Sequence, residues 1–171
     1  MQERDYDVVL VQETRLLGQD MLEVKDKLRR AGWRSYWAEA YKSAKGKACV
    51  GVAILVRADL DAWQPTGAIQ PVVAQHRMVS CMFRTRGLGV MVLYSCYLVD
   101  SIGLGGSNAN LVEALGCHIL GHGLPVVVGG DFQVRPTIFE QVVNPHLWGC
   151  SLVHDEVLPS YVAGEAAHTI D

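Results

Sequence analysis

Pro125-Val126-Val127-Val128-Gly129-Gly130-Asp131-Phe132-Gln133 decides the reading of this chain. A short β-branched run suits a buried strand, and the two glycines after it predict a sharp turn that leaves Asp131 at the strand end. Ahead of it, Leu111, Leu115 and Ile119 share one helical face, with Ser107 as the candidate N-cap and Gly121 and Gly123 closing the pattern. Beyond the turn, Pro136–Val143 predicts a short helix, and Trp148–His154 and Tyr161–Asp171 irregular chain or short strands.

The same order of strand and acid occurs at the start. Asp7–Gln12 predicts a buried strand that ends on Glu13, and Leu17, Met21, Val24, Leu28 and Ala31 predict a helix from about Gln19 to Ala31, packed on that strand and stopped by Gly32. Ala48–Arg57, Arg77–Arg84 and Gly89–Leu98 predict three further strands with no helical stretch between them, which implies antiparallel pairing. Meander and βα elements together point to an α/β layered sandwich. With no repeat, linker or low-complexity tract, residues 1–171 are expected to form one domain.

Composition narrows the function classes. Of 171 residues, 50% are hydrophobic and 19% charged, which suits one compact core and excludes a fibrous or disordered chain. The longest apolar runs, Val90–Leu98 and Leu124–Val128, are far short of the roughly 20 residues a bilayer span needs, so no membrane association is expected. The charged start, Met1 to Asp7, lacks the apolar stretch of a secretory signal, which predicts an intracellular protein, nuclear or cytoplasmic. Five widely spaced cysteines without a C-x-x-C pair are expected to be buried thiols.

A net charge of −3 argues against holding nucleic acid through global basicity. Locally, though, Lys25, Lys27, Arg29, Arg30, Arg34, Lys42, Lys45 and Lys47 gather over half of the 15 basic residues between positions 25 and 47. That stretch is either a solvated helix face and loop or a phosphate-tracking surface.

Three acids directly follow apolar runs: Glu13, Asp131 and Asp171. Strand ends gather function in many α/β folds, and Mg²⁺ takes one or two carboxylates alongside water and substrate phosphate. Each acid alone also has an ordinary role: Glu13 in the approach to a helix, Asp131 as a turn former, Asp171 as a surface charge. A second, weaker metal pattern is Cys117-His118 with His122, an i, i+4 pair on a helix.

The ordered set of motifs is more specific. Val9-Leu10-Val11-Gln12-Glu13-Thr14 resembles the Gln-Glu strand end of the endonuclease/exonuclease/phosphatase (DNase I-like) family, and Gly129-Gly130-Asp131-Phe132-Gln133 resembles its Gly-Asp-Phe-Asn turn. Gly51–Val56 is similar to its glycine-led central strand, and Val92–Tyr97 to the strand that delivers a tyrosine. Leu158-Pro159-Ser160-Tyr161 with His168-Thr169-Ile170-Asp171 is similar to a pair common in the endonucleases of non-LTR retrotransposons. The resemblance implies a four-layer α/β/β/α sandwich of the DNase I-like type, incomplete at both ends: the family's first strand with its asparagine would precede Asp7, and its catalytic histidine would follow Asp171.

The resemblance also implies roles. Glu13 would ligate Mg²⁺, with Mn²⁺ as an alternative, and Asp131 would align or deprotonate the attacking water. Tyr97 would contact the scissile phosphate, and Asp171 would orient the histidine. Gln133 stands where the family has asparagine, a longer arm with the same hydrogen-bonding ends. Val99 stands where proline is common, and His168 where the family has Ser or Thr. Arg77 is expected either at the surface or on phosphate. The implied function is a Mg²⁺-dependent phosphoester hydrolase, foremost a DNA-nicking endonuclease with nucleic acid as partner and no obligate protein partner. The alternatives are an inactive remnant of such a domain, or a phosphatase or phosphodiesterase acting on a lipid or small nucleotide.

Overall fold

The computed structural model describes residues 6–64, 74–153, 161–163 and 166–168. In chain order the elements are β1 (Val8–Val11), α1 (Gly18–Arg30), β2 (Trp33–Ala38), β3 (Tyr41–Lys42), β4 (Ala48–Cys49), β5 (Val52–Arg57), β6 (Ala62–Trp63), β7 (Met78–Thr85), β8 (Gly89–Tyr97), α2 (Gly106–His122), β9 (Val126–Asp131), α3 (Pro136–Val143), a 3-10 turn (Pro145–Trp148), β10 (Tyr161–Ala163) and β11 (Ala166–His168). They fall into two compact units, Met1–Tyr97 with Leu124–Gly129, and Leu98–Gly123 with Gly130–Asp171.

The first unit holds two sheets, ordered β1-β5-β2 and β6-β7-β8-β9, and a separate β3-β4 hairpin. In β5 the alternating residues Val52, Ile54 and Val56 turn one face inward, where they meet Ala62, Val79, Cys81, Leu93 and Tyr97 of the other sheet in a continuous core. Helix α1 lies along β2 and buries no residue fully. Its Asp26 pairs with Arg29 and Arg30, and the hydrogen bond from Arg29 leads the causes that lower the Asp26 carboxyl below its ordinary value. β1 leans on β9 at one point, where a Cβ on Gly129 would come within 2.4 Å of Leu10 Cδ1, so the bare glycine gives the Leu10 side chain its room there.

β7 and β8 form the long antiparallel hairpin, Met78 opposite Cys96 and Thr85 opposite Gly89. β9 pairs with β8 in parallel: Val92 N–H donates to Pro125 O and Leu98 N–H to Asp131 O, advancing together along both strands. The chain between them supplies α2, the kind of crossover that a parallel pair requires. β8 is buried along most of its length, and burial pushes the thiols of Cys81 and Cys96 up to about 12.

In the second unit α2 turns Leu111, Leu115 and Ile119 inward. Gly116 lies flat on the Trp148 ring, where a Cβ would approach Trp148 Cε2 to 2.5 Å. Asn108, fully buried, closes the loop ahead of the helix: its Oδ1 accepts from Val99 N–H at 2.9 Å, and its Nδ2 donates to Val99 O and Gly103 O. β10 and β11 form a short antiparallel hairpin.

Several expectations are corrected. Ala48–Arg57 is not one strand: Val50 and Gly51 take positive φ (63° and 84°), breaking it into β4 and β5 in different sheets. β5 does not pair with β7; it is the centre of its own sheet, between β1 and β2. Trp33–Ala38 is a strand that periodicity did not reveal. α2 begins after Gly105 with no side-chain cap, so Ser107 lies inside the helix. Cys117 is exposed and Cys49 and Cys150 are half-buried, while Cys81 and Cys96 are buried as expected; all five cysteines are free. Arg77 is not on the surface: it is 7% exposed. No helix among the described residues is long and apolar enough to cross a membrane.

Candidate active site

Glu13 leaves β1 just beyond its last pair, Val11 opposite Ala53. Glu13 and Arg15 both take left-handed backbone (φ 51° and 52°), a conformation that side chains disfavour and that packing must enforce. The enforcement comes from the break in the next strand: Thr14 N–H donates to Gly51 O at 2.9 Å and Arg15 N–H to Val50 O at 2.8 Å. Gly51 is required there twice, by its φ of +84° and because a Cβ would meet Thr14 Oγ1 at 2.4 Å.

The Glu13 carboxylate accepts from Tyr97 Oη at 2.9 Å on Oε1 and from Arg15 Nη2 at 2.5 Å on Oε2. Both charged side chains remain partly open, 39% exposed for Glu13 and 61% for Arg15. Tyr97 reaches Glu13 from the end of β8, where its N–H donates to Arg77 O at 2.8 Å. One residue pair back, Gln12 Nε2 donates to Ser95 Oγ at 3.0 Å and Ser95 Oγ donates to Val11 O at 3.1 Å, tying β1 to β8. Burial lowers the Arg77 guanidinium from its ordinary value, while Tyr41 and Tyr97 oppose that shift. The loop is anchored further on by Glu39 Oε1, which accepts from Gly18 N–H at the start of α1, where a carboxylate suits the helix dipole.

In the second unit, Asp131 ends β9 and organises its own turn. Gln133, with φ of 52°, donates its N–H to Asp131 Oδ1 at 3.3 Å and its Nε2 to Asp131 Oδ2 at 2.6 Å. Such an Asx turn satisfies carboxylate and backbone locally. Phe132 packs on Phe139 with ring centroids 5.0 Å apart.

Of the residues singled out from sequence, the structure therefore joins Glu13 with Tyr97, and Asp131 with Gln133; Asp171 lies outside the described residues. Reading the sequence missed Arg15, Ser95 and Glu39, which carry no motif and act only through contacts distant in the chain or through an unusual backbone. The basic stretch is divided. Arg29 and Arg30 pair with Asp26, Arg34 bonds to the Leu60 and Ala62 carbonyls, and Lys42, Lys45 and Lys47 are exposed on the β3-β4 hairpin.

No group of three or more His, Cys, Asp or Glu among the described residues could hold a metal ion. His118 and His122 stack edge to face at 5.2 Å, and burial lowers both imidazoles from their ordinary value. A hard, partly open carboxylate at a strand end, as at Glu13, fits Mg²⁺ bound in the usual sparse way, through one or two protein carboxylates with water and phosphate completing the shell.

No family model matches the chain, and neither does any curated protein. Among solved structures it is similar to a truncated Caenorhabditis elegans TDP2, with 18% identity over 77% of this chain and 51% of that one and a TM-score of 0.50. A humanized D. rerio TDP2 aligns at 16% identity over 80% of this chain and 52% of that one, with a TM-score of 0.49. The chain thus spans about half the length of these solved structures. At such identity the likeness to the C. elegans protein is one of fold, and the fold is the mixed α/β fold of the DNase I-like type.

Proposed function

We propose that this chain belongs to a Mg²⁺-dependent hydrolase of phosphoester bonds, and that its substrate is DNA, nicked in the manner of non-LTR retrotransposon endonucleases. The observation that carries the reading is the Glu13 carboxylate at the end of β1, held by the Tyr97 hydroxyl at 2.9 Å. The DNase I-like fold supports it, and so does the order of the Gln12-Glu13, Tyr97 and Gly130-Asp131 motifs.

In this reading Glu13 holds the cation, which when bound offsets negative charge on the phosphoryl oxygens. Asp131 accepts the proton of the attacking water, and the Gln133 amide steadies the Asp131 carboxylate at 2.6 Å. Tyr97 orients Glu13 in the substrate-free chain, giving its single hydroxyl proton to Oε1, and turns that one donor to a phosphate oxygen when substrate is bound. The exposed lysines of the β3-β4 hairpin suit a nucleic-acid backbone. Asp171 has the orienting role assigned to it by resemblance.

A second reading, an inactive remnant, is favoured by one observation: the Gln133 amide, which the family's asparagine would offer to substrate, is engaged by Asp131. Plasmid nicking separates the two. Metal-dependent nicking that Glu13→Ala and Asp131→Ala each reduce by a hundredfold or more is the expected result; folded protein that never nicks supports the remnant.

A further inference from the structure

We propose that Arg15 is a built-in rival of the divalent cation for Glu13, so that the chain sets its own threshold for metal binding. The inference rests on the reading of Glu13 as the metal ligand. Its ground is the division of the carboxylate's two oxygens: Oε1 takes a neutral hydroxyl from Tyr97, and Oε2 takes the Arg15 guanidinium at 2.5 Å.

The two partners differ in kind. A hydroxyl on Oε1 is compatible with a cation on the same carboxylate, since it brings no charge and leaves lone pairs open on the other oxygen. A guanidinium on Oε2 has five N–H donors and no lone pair, so it cannot share a coordination shell. It also carries a full positive charge. A cation that binds Oε2 must move it aside and then tolerate it nearby.

The backbone makes this rivalry a feature of the fold rather than a chance approach of a long side chain. Glu13 and Arg15 are both left-handed, two residues apart, and the Arg15 N–H is tied to Val50 O at 2.8 Å. The Arg15 stem therefore starts from a fixed point beside Glu13. The guanidinium remains 61% exposed, which leaves it free to swing into water once displaced. Because the pair is exposed, its hold is weak: displacement changes cation affinity by roughly 1.5- to fivefold, not by orders of magnitude. Arg15 thus keeps Glu13 oriented when cation is scarce, and yields when it is abundant.

The test is Mn²⁺ binding to the full chain at fixed ionic strength, followed by electron paramagnetic resonance of free Mn²⁺, for the wild type, Arg15→Ala, Arg15→Lys and Glu13→Gln, with circular dichroism as the check on folding. Arg15→Ala is expected to lower the Kd roughly 1.5- to fivefold and Arg15→Lys to stay near wild type. Glu13→Gln is expected to lose binding, with no gain on adding Arg15→Ala. If Glu13→Gln loses binding while Arg15→Ala leaves the Kd unchanged or raises it, the rivalry is wrong and the metal reading stands. If Glu13→Gln binds as well as wild type, the metal reading fails and the rivalry with it.

Discussion

The two acids that end strands are held in opposite ways. Glu13 is held mainly from a distance: its loop is clamped by Val50 and Gly51, its carboxylate is met by Tyr97 as well as by neighbouring Arg15, and its strand is tied through Ser95. Asp131 is held by its own turn, through two hydrogen bonds from Gln133, the residue two positions on. Both arrangements enforce a left-handed residue, Glu13 itself in one and Gln133 in the other. The difference is that the geometry at Glu13 depends on contacts from β5 and β8, whereas the Asp131 carboxylate is met by the residue two positions on, its carbonyl being tied to Leu98 N–H.

Changes to the distant supports should therefore cost more than changes to the local one. The largest effect is expected for Gly51→Ala, which forces an unfavourable φ and drives a Cβ against Thr14 Oγ1; a loss of about 2–4 kcal/mol in chemical denaturation follows. A variant as stable as wild type would mean that the Glu13 loop does not rest on Gly51. Tyr97→Phe comes next. It removes one hydrogen bond to a charged group, worth about 1.5–3 kcal/mol, and should slow cleavage about ten- to a hundredfold while leaving the circular dichroism spectrum unchanged. The smallest effect is expected for Gln133→Gly, where relief of the left-handed strain offsets the lost amide contact; stability should stay within about 1 kcal/mol of wild type. A loss as large as that of Gly51→Ala would show that the Asp131 turn is not self-contained.

The same distinction explains what could be read from the sequence. Asp131 was legible because strand, glycine pair, acid and amide are contiguous, and α3 was legible at its observed bounds, Pro136–Val143. Glu13 was legible as a strand end, and Tyr97 through a resembling motif. Their partners were not. Ser95 is an ordinary serine in a strand until β1 is known to lie beside it, and Arg15 is an ordinary loop arginine until two left-handed residues bring it onto Glu13. Trp33–Ala38 escaped notice because its polar and aromatic residues alternate poorly, and a place beside β5 makes it a strand all the same. Ala48–Arg57 looked continuous because the break at Val50-Gly51 is conformational, not compositional.

The buried thiols of the β7-β8 hairpin give the molecule an internal gauge of opening. Only a thiolate attacks a labelling reagent, and Cys81 and Cys96, pushed up to about 12, expose almost none at neutral pH. Cys117, exposed on α2, lies in the other unit and serves as the unhindered reference. The ratio of labelling rates at Cys96 and Cys117 thus reads the fraction of time the hairpin spends open, with no engineered probe.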